Sequence, residues 1–127
     1  MKNTVLLLVI VGFLFSCNKS DDINQITNEL NGDWNLISVR CLCEPINLEI
    51  GEHIWEFNLN ENELNVTNNA SKDLHTVLLG TGTYDICVID RKITLLNIEY
   101  DFYFKNEKLY LTYQPESDGP IIEFIKE

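Results

Sequence analysis

The chain has 127 residues, nine basic and twenty acidic side chains, a formal net charge of −11, and 45% hydrophobic residues. A balance this acidic is repelled by phosphate backbones and anionic headgroups, which excludes nucleic acid as the main partner and leaves a basic protein or a cation. The roughly 100 residues that follow the N-terminal segment suit one domain with one core.

Lys2 precedes an apolar run from Val5 to Phe15. As a helix that run would span roughly 16 Å, about half of a bilayer's hydrocarbon thickness of roughly 30 Å. A basic start, a short apolar run and a small residue before a cut site are the layout of a secretory signal peptide, here residues 1–16. "LFSC", with Leu14, Ser16 and Cys17, resembles the lipobox of bacterial lipoproteins. The resemblance implies cleavage before Cys17 and a diacylglycerol thioether on its sulfur. Several acyl chains, each contributing about 0.8 kcal/mol per buried CH₂, would then hold the protein on a membrane. Removing residues 1–16 takes Lys2 with it and leaves eight basic and twenty acidic residues. "KSDD" after Cys17 resembles the acidic export signal that sends some lipoproteins to the outer membrane or cell surface of Gram-negative bacteria.

Residues 17–29 read as a polar tether that ends in a short helix. Ile23, Ile26 and Leu30 are spaced to pack one apolar stripe across the open end of a sheet. From Asp33 onward the apolar runs are short and rich in β-branched and aromatic residues, the chemistry of strands. Eight are expected: "DWNLISVR", "HIWEFNL", "ELNVTN", "GTYDICVI", "KITLLN", "YDFYFK", "KLYLTYQ" and "IIEFIK". Alternation is clearest in the second, where His53, Trp55, Phe57 and Leu59 share a face. "NEN" at 60–62 and "KNE" at 105–107 are expected as tight hairpin turns, and "PESDGP" at 115–120 as a longer one. Gly80 and Gly82 read as a turn or bulge entering the fourth strand. Connections this short favour antiparallel neighbours in chain order. Eight such strands leave two bare edges unless the sheet closes. The expected fold is therefore all-β, a single antiparallel up-and-down barrel over residues 30–127, with a sandwich of two four-stranded sheets as the rival.

"GDW" at Gly32, Asp33 and Trp34 resembles the G-x-W that opens the first strand of lipocalins, whose tryptophan closes the base of the barrel. "LNGDWNL", the meander and the closing "GPIIEFIK" are similar to small lipocalin-like lipoproteins of Gram-negative bacteria. Lys126 is the nearest counterpart of the arginine that those proteins pack over the tryptophan. The T-D-Y motif of lipocalins is replaced here by "KNEK".

With Cys17 lipidated, Cys41, Cys43 and Cys87 remain. An oxidising compartment makes a disulfide the default for neighbours in space. A bridge from Cys41 or Cys43 to Cys87 would staple residues 44–52 to the barrel wall; free buried thiols are the alternative. C-x-C supplies only two ligands, so a metal site with His53 or His75 is not expected. His53 reads as a side chain at the barrel rim and His75 as a solvated loop residue. No nucleophile elbow, phosphate loop or paired carboxylates stand at catalytic spacing, so neither an enzyme nor a cofactor is expected.

Trp55, Phe57, Tyr84, Tyr100, Phe102, Phe104 and Tyr113 are candidates for the inward face. They either fill the barrel or line a pocket for a small apolar or amphipathic ligand. Alternation from Trp34 would carry Leu36, Ser38 and Arg40 inward, where Arg40 could hold a carboxylate; exposure at the rim is the simpler reading. Two functions follow. One is a lipid-anchored module that binds a small molecule in its lumen. The other is an interaction or inhibitor module with a filled barrel, whose acidic outer face meets a basic protein.

Overall fold

The computed structural model describes residues 23–41, 44–70, 78–114 and 119–126. The expected leader, Cys17, Cys43, His75 and most of the 115–120 turn lie outside the described residues. Helix α1 (Ile23–Leu30) precedes strands β1 (Gly32–Arg40), β2 (Ile46–Asn47), β3 (His53–Asn58), β4 (Glu63–Asn68) and β5 (Gly82–Ile89). Then follow β6 (Lys92–Leu95), β7 (Ile98–Lys105), β8 (Lys108–Thr112) and β9 (Ile121–Lys126). Every pairing is antiparallel between chain neighbours, and β9 returns to β1 to close the sheet. Eight strands form the barrel, so no sandwich forms.

β2 is the extra strand. It pairs with the upper part of β1 (Ser38↔Asn47, Val39↔Ile46), and β3 pairs with the lower part (Gly32↔Phe57 to Asn35↔Ile54). Between them the chain steps out over β1, held by the Leu48 amide on the Ile37 carbonyl at 2.9 Å and the Gly51 amide on Asn35 Oδ1 at 2.9 Å. Asn35 faces away from the core yet is fully buried under this excursion. The loop 44–52 thus lies on the wall through backbone pairing as well as any cysteine.

The two ends of the barrel differ. At one end the connections are tight, and two are two-residue turns with positive φ at both positions, Asp90–Arg91 and Asn106–Glu107. Positive φ at both central residues matches the right-handed twist of the flanking strands. Helix α1 covers this end. Leu30 is fully buried, and Ile26 packs against the core. Trp34 Nε1 donates to the Leu30 carbonyl at 2.8 Å. Lys126 Nζ donates to the carbonyls of Asn31 (3.0 Å) and Glu29 (3.3 Å), and lies 5.1 Å from the centre of the Trp34 ring. Together they satisfy carbonyls that a helix end leaves without intrahelical partners. Asn31 Oδ1 accepts from the Leu59 amide and ties the β3–β4 turn to the same plug. At the opposite end lie the strand ends that flank the longer connections: Arg40 of β1, His53 of β3, Asn68 of β4, Gly82 of β5, Thr112 of β8 and Ile121 of β9.

Candidate ligand site at the open end

Alternation places Trp55 and Phe57 (β3), Leu64 and Val66 (β4), Tyr84 and Ile86 (β5), Phe102 and Phe104 (β7), Leu109 and Leu111 (β8) and Phe124 (β9) on the inner face. Towards the plugged end these side chains fill the lumen. Trp55, Phe57, Phe102 and Phe124 are each at most 3% exposed. Trp55 packs on Phe124 with ring centres 4.9 Å apart, and Phe102 meets Phe104 edge-on at 6.0 Å. Trp34 meets Phe104 at 5.9 Å. Burial of each such side chain contributes roughly 1.5–3 kcal/mol, so this half of the barrel is core.

Towards the open end the inner face changes character. Tyr84, Tyr100, Ile46 and Leu79 pack against the core but stay partly exposed. Tyr100 and Tyr113 are neighbours across β7 and β8, with ring centres 6.0 Å apart. Burial, reinforced by Tyr113, pushes the Tyr100 phenol above its usual range, so it stays protonated and can donate. Tyr84 spends its hydroxyl on the Gly80 carbonyl at 2.8 Å. The open end therefore offers apolar rings with a few uncharged polar groups, the composition of small-molecule sites.

His53 sits below this mouth, fully buried rather than at the rim. Its Nε2 donates to the Leu79 carbonyl at 3.0 Å, and its Nδ1 accepts from Trp55 Nε1 at 3.2 Å, which fixes the tautomer. Burial lowers its pKa, against the smaller opposing effect of the Leu79 carbonyl, so the ring is neutral. With both nitrogens engaged, it ties the 78–82 segment to β3 and positions Trp55.

Arg40 does not reach the lumen. The register between β1 and β9 slips between Leu36 and Ser38, a β-bulge that inserts Ile37. After the bulge Val39 points inward, 1% exposed, and Ser38 and Arg40 point out. Arg40 lines a shallow groove on the outer wall with Ile37, Leu48, Ile50 and Glu123. The inward set of β1 is thus Trp34, Leu36 and Val39 rather than the strict alternation read from the sequence.

Cys41 and Cys87 are each disulfide-bonded. Cys87 stands on the outer face of β5, between the inward Ile86 and Val88. A sulfur held in a disulfide has no thiolate to give a metal, and among the described residues no cluster of three His, Cys, Asp or Glu is poised to hold one. Among them, too, no helix is long and apolar enough to cross a membrane. The sequence offered no signal for Asn35, whose side chain seats the 48–52 excursion, nor for Leu79, whose carbonyl holds His53. Comparison with known proteins finds no matching family model and no matching curated protein.

Proposed function

We propose that the protein is a lipid-anchored, extracytoplasmic lipocalin-like lipoprotein that binds a small apolar or amphipathic molecule at the open end of its barrel and performs no chemistry on it. One observation carries the binding reading. Near α1 the aromatic inner face is mostly buried, with Phe104 partly exposed, whereas at the other end it is partly exposed and lined by tyrosines. A barrel that needed its interior only for stability gains nothing from leaving large rings partly exposed there. The G-x-W layout supports kinship with lipocalins: Trp34 closes the base and Lys126 lies over its ring, as the resemblance implies. The lipobox at Cys17 supports the anchor, and the "KSDD" that follows supports an outward-facing location.

The test is titration of an environment-sensitive dye into the chain expressed without its first seventeen residues. Their removal touches none of the hydrogen bonds or core contacts described for residues 23–126. Saturable enhancement, weakened by Tyr84→Ala or Tyr113→Ala, is the expected result; no enhancement at any concentration rejects lumen binding. Mass spectrometry of the protein extracted from membranes tests the anchor, by the acyl mass on Cys17. A second reading, capture of a basic protein by the acidic wall, is favoured by the stacked Tyr103–Tyr110 pair on the outer face, Tyr103 exposed and Tyr110 half-buried, with ring centres 4.9 Å apart. It predicts retention of a partner that fades as salt is raised.

A further inference from the structure

The open end of the barrel is not uniform around its rim. On β3, β4 and β5 the inward side chains nearest the mouth are His53, Asn68 and Tyr84. All three give a hydrogen to one short stretch of backbone. His53 Nε2 and Asn68 Nδ2 both donate to the Leu79 carbonyl, at 3.0 and 3.2 Å, and the Tyr84 hydroxyl donates to the Gly80 carbonyl at 2.8 Å. Thr81 Oγ1 accepts from the Asn68 amide at 2.9 Å, and Leu78 is buried in the core. Residues 78–81 thus lie as a strap over the tops of three successive strands, and the donors of those strands are used in holding it.

On the β7–β8 side the matching positions are Tyr100 and Tyr113, and their donors are not used in this way. Both backbones are fixed. Tyr100 is paired with Ile93 of β6. Tyr113, the residue after β8, donates its amide to the Pro120 carbonyl at 3.2 Å, and the Gly119 amide donates to the Gln114 carbonyl at 3.0 Å. The approach is close enough that a Cβ at Gly119 would run into the Tyr113 carbonyl. The two tyrosine rings are half-buried, 6.0 Å apart, and among the described residues neither hydroxyl has a hydrogen-bond partner. Water satisfies such a hydroxyl while it faces solvent. A molecule that covers it displaces that water and strands the donor unless it brings an acceptor of its own. A pure hydrocarbon seated here would strand two donors, whereas a molecule with an oxygen at that point would strand none. We propose that the ligand is an apolar molecule whose polar end is an acceptor oxygen, seated on the Tyr100 and Tyr113 hydroxyls, and that the 78–81 strap confines it to this side of the mouth. This rests on the reading of the barrel as a ligand-binding module.

Two fluorescent probes that differ only at one oxygen test this. One is 6-propionyl-2-dimethylaminonaphthalene, a ketone, and the other is its 6-propyl analogue, which lacks the carbonyl. Both are titrated into the chain lacking its first seventeen residues. Tyr100→Phe and Tyr113→Phe keep the rings, so their unfolding midpoints should match the parent. Each is expected to weaken the ketone by about threefold or more, the loss of one hydrogen bond, and to leave the propyl probe unchanged or more tightly bound. Emission of the bound ketone should also move to shorter wavelength in both variants, because a donor on its oxygen stabilises the excited state. Tyr84→Phe, which removes only a strap contact, should shift both probes by one factor. Equal changes for the two probes in both β7–β8 variants would overturn the acceptor assignment and leave ligand binding standing. Loss confined to the ketone in Tyr84→Phe, with the other two variants silent, would overturn the placement. Failure of both probes to bind the parent would overturn the ligand-binding reading itself.

Discussion

Gly32, Trp34 and Lys126 show how much of the base of this barrel hangs on three side chains. Gly32 has φ +110°, a conformation that a Cβ disfavours, while the space is adequate, since the nearest atom to a Cβ there would be Lys126 Cε at 3.5 Å. Gly32→Ala should therefore cost about 1–3 kcal/mol through backbone strain alone, read from urea unfolding. Trp34→Phe keeps an aromatic ring but removes the N–H that satisfies the Leu30 carbonyl, at an expected cost of about 1–3 kcal/mol. Adding Lys126→Met to Trp34→Phe should cost less than the two changes measured separately, because both side chains serve the same helix end. His53 is the residue with a pH signature. Its folded pKa lies below 6.5 because burial disfavours the charged ring. The unfolded chain takes up the proton near that value, so below it the unfolded state binds more protons. The contribution of His53 is then fully present above pH 6.5 and is lost as pH falls towards its folded pKa. His53→Gln should flatten the fall in melting temperature between pH 7.5 and 5 relative to the parent; an unchanged slope would refute a neutral, buried His53.

The elements were legible where a period repeats and obscure where one is interrupted. "ELNVTN", "GTYDICVI" and "IIEFIK" coincide with β4, β5 and β9, because each alternates between a more packed and a more solvated face over most of its length. The helix was readable from Ile26 and Leu30, which pack on the core as their spacing requires. β1 defeated the same reasoning. "LISVR" holds apolar residues on both sides of the phase change, so nothing in the pattern marks Ile37 as an insertion. β2 was missed because two residues are too few to show any period, and its pairing is decided by where the loop lands. Leu36, Val39 and Arg40 expose the phase change experimentally. Val39→Ala should cost about 2 kcal/mol or more, as for a buried aliphatic truncation. Arg40→Ala, outside the barrel, should stay within about 0.5 kcal/mol and leave dye binding unaltered. Strict alternation predicts the reverse ranking. At the β6–β7 turn, Leu96→Asn should stabilise by about 1 kcal/mol, the cost of holding a leucine in the left-handed region.

For the molecule as a whole, the decisive property is asymmetry along the barrel axis. Closure pairs Trp34 with Lys126, so the two ends of the folded chain meet at the plugged end, where α1, tight turns and the aromatic core converge. At the other end the inner face is incompletely packed, with Tyr84 and Tyr100 partly exposed. This much of the candidate site could be read from the sequence: the aromatic residues and their inward parity. The grading of their exposure could not, because it depends on which end α1 covers. Local stability follows packing and hydrogen bonding, since opening a region exposes whatever it buries. Amide exchange should therefore be slowest in the lower halves of β1, β3 and β9, around Trp34, Phe57 and Phe124. It should be faster at the mouth-side ends of β4, β5 and β7, around Asn68, Tyr84 and Tyr100. A ligand seated on the tyrosines binds only the closed arrangement and should slow exchange in that second group, while leaving the plugged end near its own limit. Exchange that is uniform along the axis, or ligand protection concentrated on the outer wall around Tyr103 and Tyr110, would instead locate the functional surface outside the barrel.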